Sequence, residues 1–184
     1  MVDNASGANT IELKYDPPED RRAVRMMKML VVLGEGGHTK ELLALLDSME
    51  EDHRYGYLII DDDKVSEKKV QKPGPVFRVV RPRYKELHLF KDVLSTLRCF
   101  WQSFLVLRRF RPDVVLSSGP AVAVPVSVLS RLSRIKVIFI ETGSRVASLS
   151  LTGKIMYRFA HLFFVQWPGL KKKYPKAIYA GRLL

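Results

Sequence analysis

An apolar run from Met29 to Val32 leads into Leu33-Gly34-Glu35-Gly36-Gly37-His38-Thr39, and then into Lys40-Glu41-Leu42-Leu43-Ala44-Leu45-Leu46. Strand, glycine-rich turn and leucine-rich helix, in that order, make a β-loop-α unit of an open α/β sheet. Ligands of such sheets collect outside the carboxyl ends of the strands, where this turn lies. Glycines without Cβ let a backbone approach a phosphate or a sugar closely, and the helix N-terminus behind them favours anionic groups. His38 sits at that helix start, so a titratable ring belongs to the same crevice.

The rest of the chain repeats the alternation. Strands are expected at Met29–Leu33, Tyr55–Ile60, Val76–Val80, Val114–Leu116, Lys136–Ile140, Leu162–Val165 and Ala177–Ala180. Helices are expected over Thr39–Met49, from about Lys85 to Phe110, after the Ser117–Pro120 turn to about Leu132, and over Leu151–Ala160. Strands separated by helices mean an α/β fold, a Rossmann-like, mostly parallel sheet with helices on both faces. Residues 27–184 form this domain, and residues 1–26 read as a polar tail. Four turns after strands, Gly34–Thr39, Ser117–Pro120, Glu141–Arg145 and Gln166–Trp167, share one edge of such a sheet and line one crevice. Asp61, Asp62 and Asp63 read as a solvated acidic turn.

Charge narrows the partners. Thirty-one Lys and Arg against nineteen Asp and Glu leave a net charge of +12. Such an excess attracts an anionic bilayer, a phosphorylated substrate or a nucleic acid. No nucleic-acid motif accompanies it, so nucleic acid is not an expected partner. The single cysteine, Cys99, forms no intrachain disulfide and reads as a buried structural thiol within a helix. No stretch reaches the roughly 18 consecutive apolar residues of a membrane-spanning helix. Residues 1–25 carry no apolar signal-peptide core. Membrane contact is therefore expected to be peripheral.

Its expected site is the long helix before Arg111. Phe90, Val93, Leu94, Leu97, Phe100, Trp101, Phe104 and Leu107 follow helical spacing, the pattern of a stripe packed into a core. Leu89, Leu105 and Phe110 widen the apolar arc, and Arg98, Arg108, Arg109 and Arg111 flank it. An aromatic-rich, Arg-flanked helix suits an anionic bilayer surface. Phe100, Trp101, Phe104, Arg108 and Arg109 are the expected contacts.

Several motifs carry a family resemblance: LGEGGHTKELL (Leu33–Leu43), VLSSGP (Val115–Pro120), IETGSR (Ile140–Arg145), SLTGK (Ser150–Lys154) and VQWPGLKKKYPKAIYAGRLL (Val165–Leu184). The chain resembles the asparagine-linked glycosylation protein 14 family, the membrane-recruiting subunits of two-subunit UDP-N-acetylglucosamine transferases, over roughly Met27 to Leu184. It also looks like the paired exopolysaccharide glycosyltransferase subunits of bacteria. More distantly, it is similar to the N-terminal half of MurG-type glycosyltransferases, whose glycine-rich turn also carries a His.

The resemblance implies the acceptor-side half of a split GT-B enzyme. The UDP-sugar site would lie on a separate chain like asparagine-linked glycosylation protein 13. The pair would move N-acetylglucosamine from UDP-N-acetylglucosamine onto a lipid-diphosphate-linked N-acetylglucosamine, with inversion. It would need no metal or other cofactor and would work at the cytosolic membrane face. The family pattern has a transmembrane anchor before the first strand, and residues 1–26 do not supply one.

At residue level, a His near neutral pKa suits removal of the acceptor hydroxyl proton. His38 is the first candidate, either as base or as orienter of the acceptor. Glu141 is the second, to take the proton or to hold His38. A diphosphate wants backbone donors and cations. Gly36, Gly37 and Thr39 are expected to donate, Arg145 and Lys154 to supply charge, and Ser118 and Gly119 to border the pocket. Trp167, Pro168, Tyr174, Tyr179, Leu183 and Leu184 are the expected partner interface. A membrane scaffold that only positions a catalytic partner is the competing class.

Overall fold

A computed structural model describes residues 26–34, 36–49, 53–82 and 89–183. The expected tail therefore lies, apart from Met26, outside the described residues, as do Glu35 and Leu184. Seven strands alternate with helices: β1 (Lys28–Val32), α1 (Gly37–Ser48), β2 (Arg54–Ile60), β3 (Val76–Val79), α2 (Leu89–Phe110), β4 (Val114–Ser117), α3 (Ala123–Leu132), β5 (Lys136–Ile140), α4 (Leu151–Phe159), β6 (Leu162–Val165), α5 (Pro168–Lys173) and β7 (Ile178–Tyr179). A short 3-10 turn at Glu67–Lys69 and the helix α5, begun by Pro168 at its first turn, fall in stretches that read as loops.

All seven strands run parallel in the order β3-β2-β1-β4-β5-β6-β7. The order reverses between β1 and β4. The turns after these two strands leave the sheet in opposite directions and open a crevice at its carboxyl edge. The turn carrying His38 and the turn carrying Ser118-Gly119 are the two lips of that crevice.

The two faces are covered unequally. One core joins Leu30, Val32, Val115, Val137 and Phe163 of the sheet to Cys99, Val126, Met156 and Leu170 of α2 to α5. The other joins Val31, Tyr57, Ile59, Leu116 and Ile140 to Leu42 and Leu46 of α1, the one helix on that face among the described residues. Beyond α1, that face carries an apolar groove of about 350 Å³, floored by Leu116, Ile138, Ile140 and Phe164 and edged by Leu183.

Helix α2 turns most of its apolar stripe outward. Val93, Leu94, Leu97, Trp101, Phe104 and Leu105 are exposed, Trp101 at 63%, so Trp101 and Phe104 are open to the contact expected of them while the core pattern fails for Val93, Leu94 and Leu97. The buried face is built from Cys99, Ser103, Val106 and Leu107, with Phe100 and Phe110 half-buried. Small side chains there allow α3 to pack closely, so the bulky apolar groups project outward. Asp63, expected to be solvated, is buried, and its Oδ1 accepts the N–H groups of Val65 and Ser66 at 3.1 and 2.9 Å.

Candidate active site

His38 lies one residue into α1, half-buried between the two lips of the crevice. Its ring rests on Gly119, where a Cβ would come within 2.6 Å of Nδ1. Gly119 also has φ of 83°, a left-handed conformation that side chains resist. A glycine is thus required there twice, for the turn and for the ring. Among the described residues His38 Nδ1 is buried without a hydrogen-bond partner. Burial holds the imidazole below its usual pKa; the nearby Glu41 carboxylate opposes this and Arg145 reinforces it. The ring is therefore neutral near neutral pH, the form that can accept a proton.

Glu41, unforeseen in the sequence, organises the crevice. It sits one turn after His38 on α1 and is 7% exposed. Its Oε2 accepts the Ser118 hydroxyl at 3.1 Å, and its Oε1 accepts the Thr142 hydroxyl at 3.1 Å and the Gly143 N–H at 2.8 Å. One carboxylate thus ties α1 to the turns after β4 and β5. The spacing His38-x-x-Glu41 was the available signal, because residues three apart share a helix face.

Glu141 is fully buried and serves a different region. Its Oε1 accepts the Thr142 N–H at 3.2 Å, and its Oε2 accepts the Ser150 N–H at 3.0 Å and hydroxyl at 3.1 Å. Gly153 packs directly on this carboxyl group, and a Cβ there would sit 2.9 Å from Cδ. Burial raises the Glu141 pKa, while hydrogen bonds from Ser150 and Thr142 and the charge of Arg145 pull it back. The carboxylate acting on His38 is Glu41, not Glu141, which corrects the expectation that Glu141 would hold the histidine. Glu141 instead anchors the turn after β5 to the N-terminus of α4, where Ser150 caps the helix by accepting the Gly153 N–H at 2.8 Å.

The expected anion-binding groups divide. Gly36, with φ of 72°, and Gly37 are exposed and open at the start of α1. Among the described residues no side chain caps that helix, and no acidic residue lies in its first turn. The first N–H groups of a helix have no acceptor within it, so this end offers donors and a positive dipole. Arg145 is exposed and acts electrostatically on both His38 and Glu141.

The hydroxyls of Thr39 and Ser118 are committed within the fold, so what these two residues leave toward the crevice is the Thr39 N–H in the first turn of α1 and the Ser118 turn as its lip. The Thr39 hydroxyl is buried, donating to the Gly34 carbonyl and meeting Ser66 Oγ at 2.9 Å. The Ser118 hydroxyl is buried and committed to Glu41. Lys154 is exposed on α4, the residue after Gly153, and is not among the charges that act on His38. Among the described residues no group of His, Cys, Asp and Glu could hold a metal ion.

The C-terminal block is partly turned inward. Trp167 Nε1 donates to the Gly143 carbonyl at 2.7 Å, and the Arg182 guanidinium lies 4.8 Å from the centre of its ring. Tyr174 packs edge-on against Tyr157 at 5.5 Å. These two residues fasten the chain to itself, which limits their expected part in a partner interface. Pro168 and Tyr179 are exposed. Leu183 packs on the thinly covered face, and its N–H donates to Gln166 Oε1 at 3.0 Å.

Comparison with known proteins places this arrangement. The human UDP-N-acetylglucosamine transferase subunit ALG14 is 34% identical over 180 residues, covering 86% of this chain and 83% of its own. The fission yeast (Schizosaccharomyces pombe) subunit alg14 is 35% identical over 177 residues, covering 83% and 81%. Among solved structures, Acinetobacter baumannii MurG superposes with a TM-score of 0.63 at 17% identity, over 79% of this chain and 43% of its own. The Methanocaldococcus jannaschii UDP-GlcNAc 2-epimerase, solved with UDP-GlcNAc and UDP, gives 0.66 at 15%, over 85% and 47%. The chain thus spans less than half the length of these solved neighbours and shares the fold of one half of a GT-B architecture. The family model described as "Oligosaccharide biosynthesis protein Alg14 like" matches residues 29–183, and the chain belongs to that family.

Proposed function

We propose that this chain is the acceptor-side subunit of a UDP-N-acetylglucosamine transferase. A separate donor-binding chain, like asparagine-linked glycosylation protein 13, would complete it, and a lipid-diphosphate-linked N-acetylglucosamine would be its acceptor. The observation that carries this reading is the crevice at the β1/β4 reversal. There a neutral His38 stands beside a helix N-terminus that no described side chain caps, in a chain that matches half of a two-domain fold.

In this reading the diphosphate lies against the N–H groups at Gly36 and Gly37, with Arg145 as counter-charge. The acceptor hydroxyl attacks the anomeric carbon of the donor. The new glycosidic C–O bond forms as the bond to UDP breaks, UDP leaves with the electron pair, and the configuration inverts. His38 takes the hydroxyl proton. General-base catalysis of this kind contributes about 10²–10⁴-fold. Glu41 is a positioning residue that holds the crevice turns, and Glu141 positions the turn bearing Arg145.

Two surfaces fit the remaining partners. The apolar groove beside Leu183, on the face where α1 is the one helix among the described residues, suits the donor-binding subunit, with Ala180 and Arg182 among the residues that line it. The outward stripe of α2, with Trp101, Phe104, Arg108 and Arg109, suits an anionic bilayer at the cytosolic face of the membrane. Among the described residues no helix is long and apolar enough to cross a membrane.

A non-catalytic scaffold draws on one observation: the polar groups of Thr39, Ser118 and Glu141 are consumed internally. The two readings separate in one experiment. The chain is co-expressed with the candidate donor-binding subunit, and transfer from radiolabelled UDP-N-acetylglucosamine to a short-chain lipid diphosphate sugar is followed. Transfer by the pair, and by neither chain alone, supports the transferase. Full transfer after His38 and Glu41 are both neutralised favours the scaffold.

A further inference from the structure

The ends of α2 and α3 carry a charge pattern that the crevice does not use. Residues 108–113 read Arg-Arg-Phe-Arg-Pro-Asp and residues 131–136 read Arg-Leu-Ser-Arg-Ile-Lys. These two turns feed the neighbouring strands β4 and β5, and the Lys136 N–H donates to the Asp113 carbonyl at 3.2 Å. The two turns together carry six cations, Arg108, Arg109, Arg111, Arg131, Arg134 and Lys136, and one carboxylate, Asp113, which itself accepts the Lys28 N–H at 2.9 Å. Cations at helix C-termini ordinarily offset the macrodipole, but each end is worth only about half a negative charge. With Asp113 included, roughly four positive charges stay uncompensated.

Between the turns lies a notch of about 210 Å³. Arg108, Arg111 and Ser133 supply its polar walls, and Phe104, Leu107 and Ile135 its apolar ones. Two features relate it to a bilayer. Phe104 and Arg108 also belong to the exposed stripe of α2, so notch and stripe are continuous. Leu132, next to Ser133, is 77% exposed and flanked by Arg131 and Arg134, an apolar tip within a basic collar. The arginines that end the two helices, Arg111 and Arg134, hold φ of 51° and 60°, where a glycine is usual. That conformation is disfavoured at a residue with a side chain.

We propose that this notch binds the phosphate of an anionic phospholipid, with Leu132 entering the interfacial region beside it. Arg108 and Arg111 grip the phosphate oxygens, Ser133 donates a hydrogen bond, and Phe104 and Ile135 meet the glycerol and upper acyl carbons. The site rests on the reading of α2 as a bilayer-facing helix and adds a fixed headgroup position to it.

The test is co-sedimentation of the full chain with phosphatidylcholine vesicles, with and without phosphatidic acid. Arg111→Asn combined with Ser133→Ala keeps a residue that tolerates the left-handed conformation. It should lower affinity for the anionic vesicles by about fivefold or more, leaving neutral-vesicle binding and the melting temperature unchanged. A control, Lys171→Gln with Lys172→Gln, removes two exposed cations elsewhere and should change affinity less than the notch variant. A polarity-sensitive dye on Leu132→Cys should shift to the blue on the anionic vesicles; native Cys99 is buried and stays unlabelled.

Equal losses in notch and control variants would mean diffuse attraction and overturn the site. So would an unshifted dye, or inorganic phosphate stabilising the chain as well as the vesicles do. Leu97→Ser with Trp101→Ser tests the helix separately. If that variant binds like the parent, the bilayer reading of α2 fails. If it loses binding while the notch variant does not, only the notch fails.

Discussion

Replacing Glu41 should damage the protein in two measurable ways. Its carboxylate accepts three hydrogen bonds, from Ser118, Thr142 and Gly143. Hydrogen bonds to a charged acceptor are worth about 1.5–3 kcal/mol each, and orphaned buried donors add their own cost. Part of this is recoverable after truncation. The Thr142 hydroxyl can turn to Ser144 Oγ, already 3.3 Å away, and the Gly143 amide is only half-buried. Ser118 has no exposure to water. Glu41→Ala should therefore cost about 3–4 kcal/mol, within the 3–5 kcal/mol typical when one partner of a buried charged contact is removed. At roughly 2–4 °C per kcal/mol for a domain of this size, the melting temperature should fall by about 10 °C. Glu41→Gln keeps the shape and one acceptor oxygen and should lose about half as much.

The second effect is electrostatic. The Glu41 charge raises the His38 pKa against burial and Arg145. Without it, His38 should titrate at still lower pH, visible as a downfield-proton NMR titration of the ring in Glu41→Gln. Urea denaturation of both variants and that titration together test the reasoning. A loss below about 1 kcal/mol in Glu41→Ala, with His38 titrating as in the parent, would refute the role given to this carboxylate.

Other outcomes follow from the same geometry. Gly119→Ala should destabilise the chain by about 1–3 kcal/mol and displace the His38 ring, with transfer falling together with stability; a parent-like melting temperature would contradict the contact. Because the His38 pKa is lowered in the folded state, the unfolded chain binds more protons as pH falls. Stability should therefore be lost as pH drops below about 6.5, and His38→Gln should flatten that dependence, leaving the contribution of His161, which is lowered too. Burial pushes the Cys99 thiol up to about 11. It should resist iodoacetamide in the native state and react only on unfolding; rapid native labelling would place it elsewhere.

The parallel sheet was legible because its central strands, β1, β2 and β4, are largely apolar, buried runs between helical periods. The crevice was legible from its glycines and from His38, which belong to one local motif. Glu41 was not, since its partners Ser118 and Gly143 stand 77 and 102 residues away and only the fold brings them together. The burial of the Thr39 hydroxyl was hidden for the same reason: the loop holding Ser66 and Asp63 covers it, and nothing local announces that packing. In α2 the periodicity showed two faces but not which one meets the protein. Cys99 and Ser103, small enough for close packing by α3, decided it against the bulkier stripe.

The central claim is that His38 acts on the acceptor within a two-chain transferase, and single-turnover transfer tests it most directly. The parent chain and its His38→Ala variant would each be paired with the donor-binding subunit. Label from UDP-N-acetylglucosamine would be followed onto a lipid diphosphate sugar at saturating acceptor. The account predicts that the variant pair assembles normally and transfers at least about tenfold more slowly. An assembled variant pair that transfers at the parent rate would contradict it.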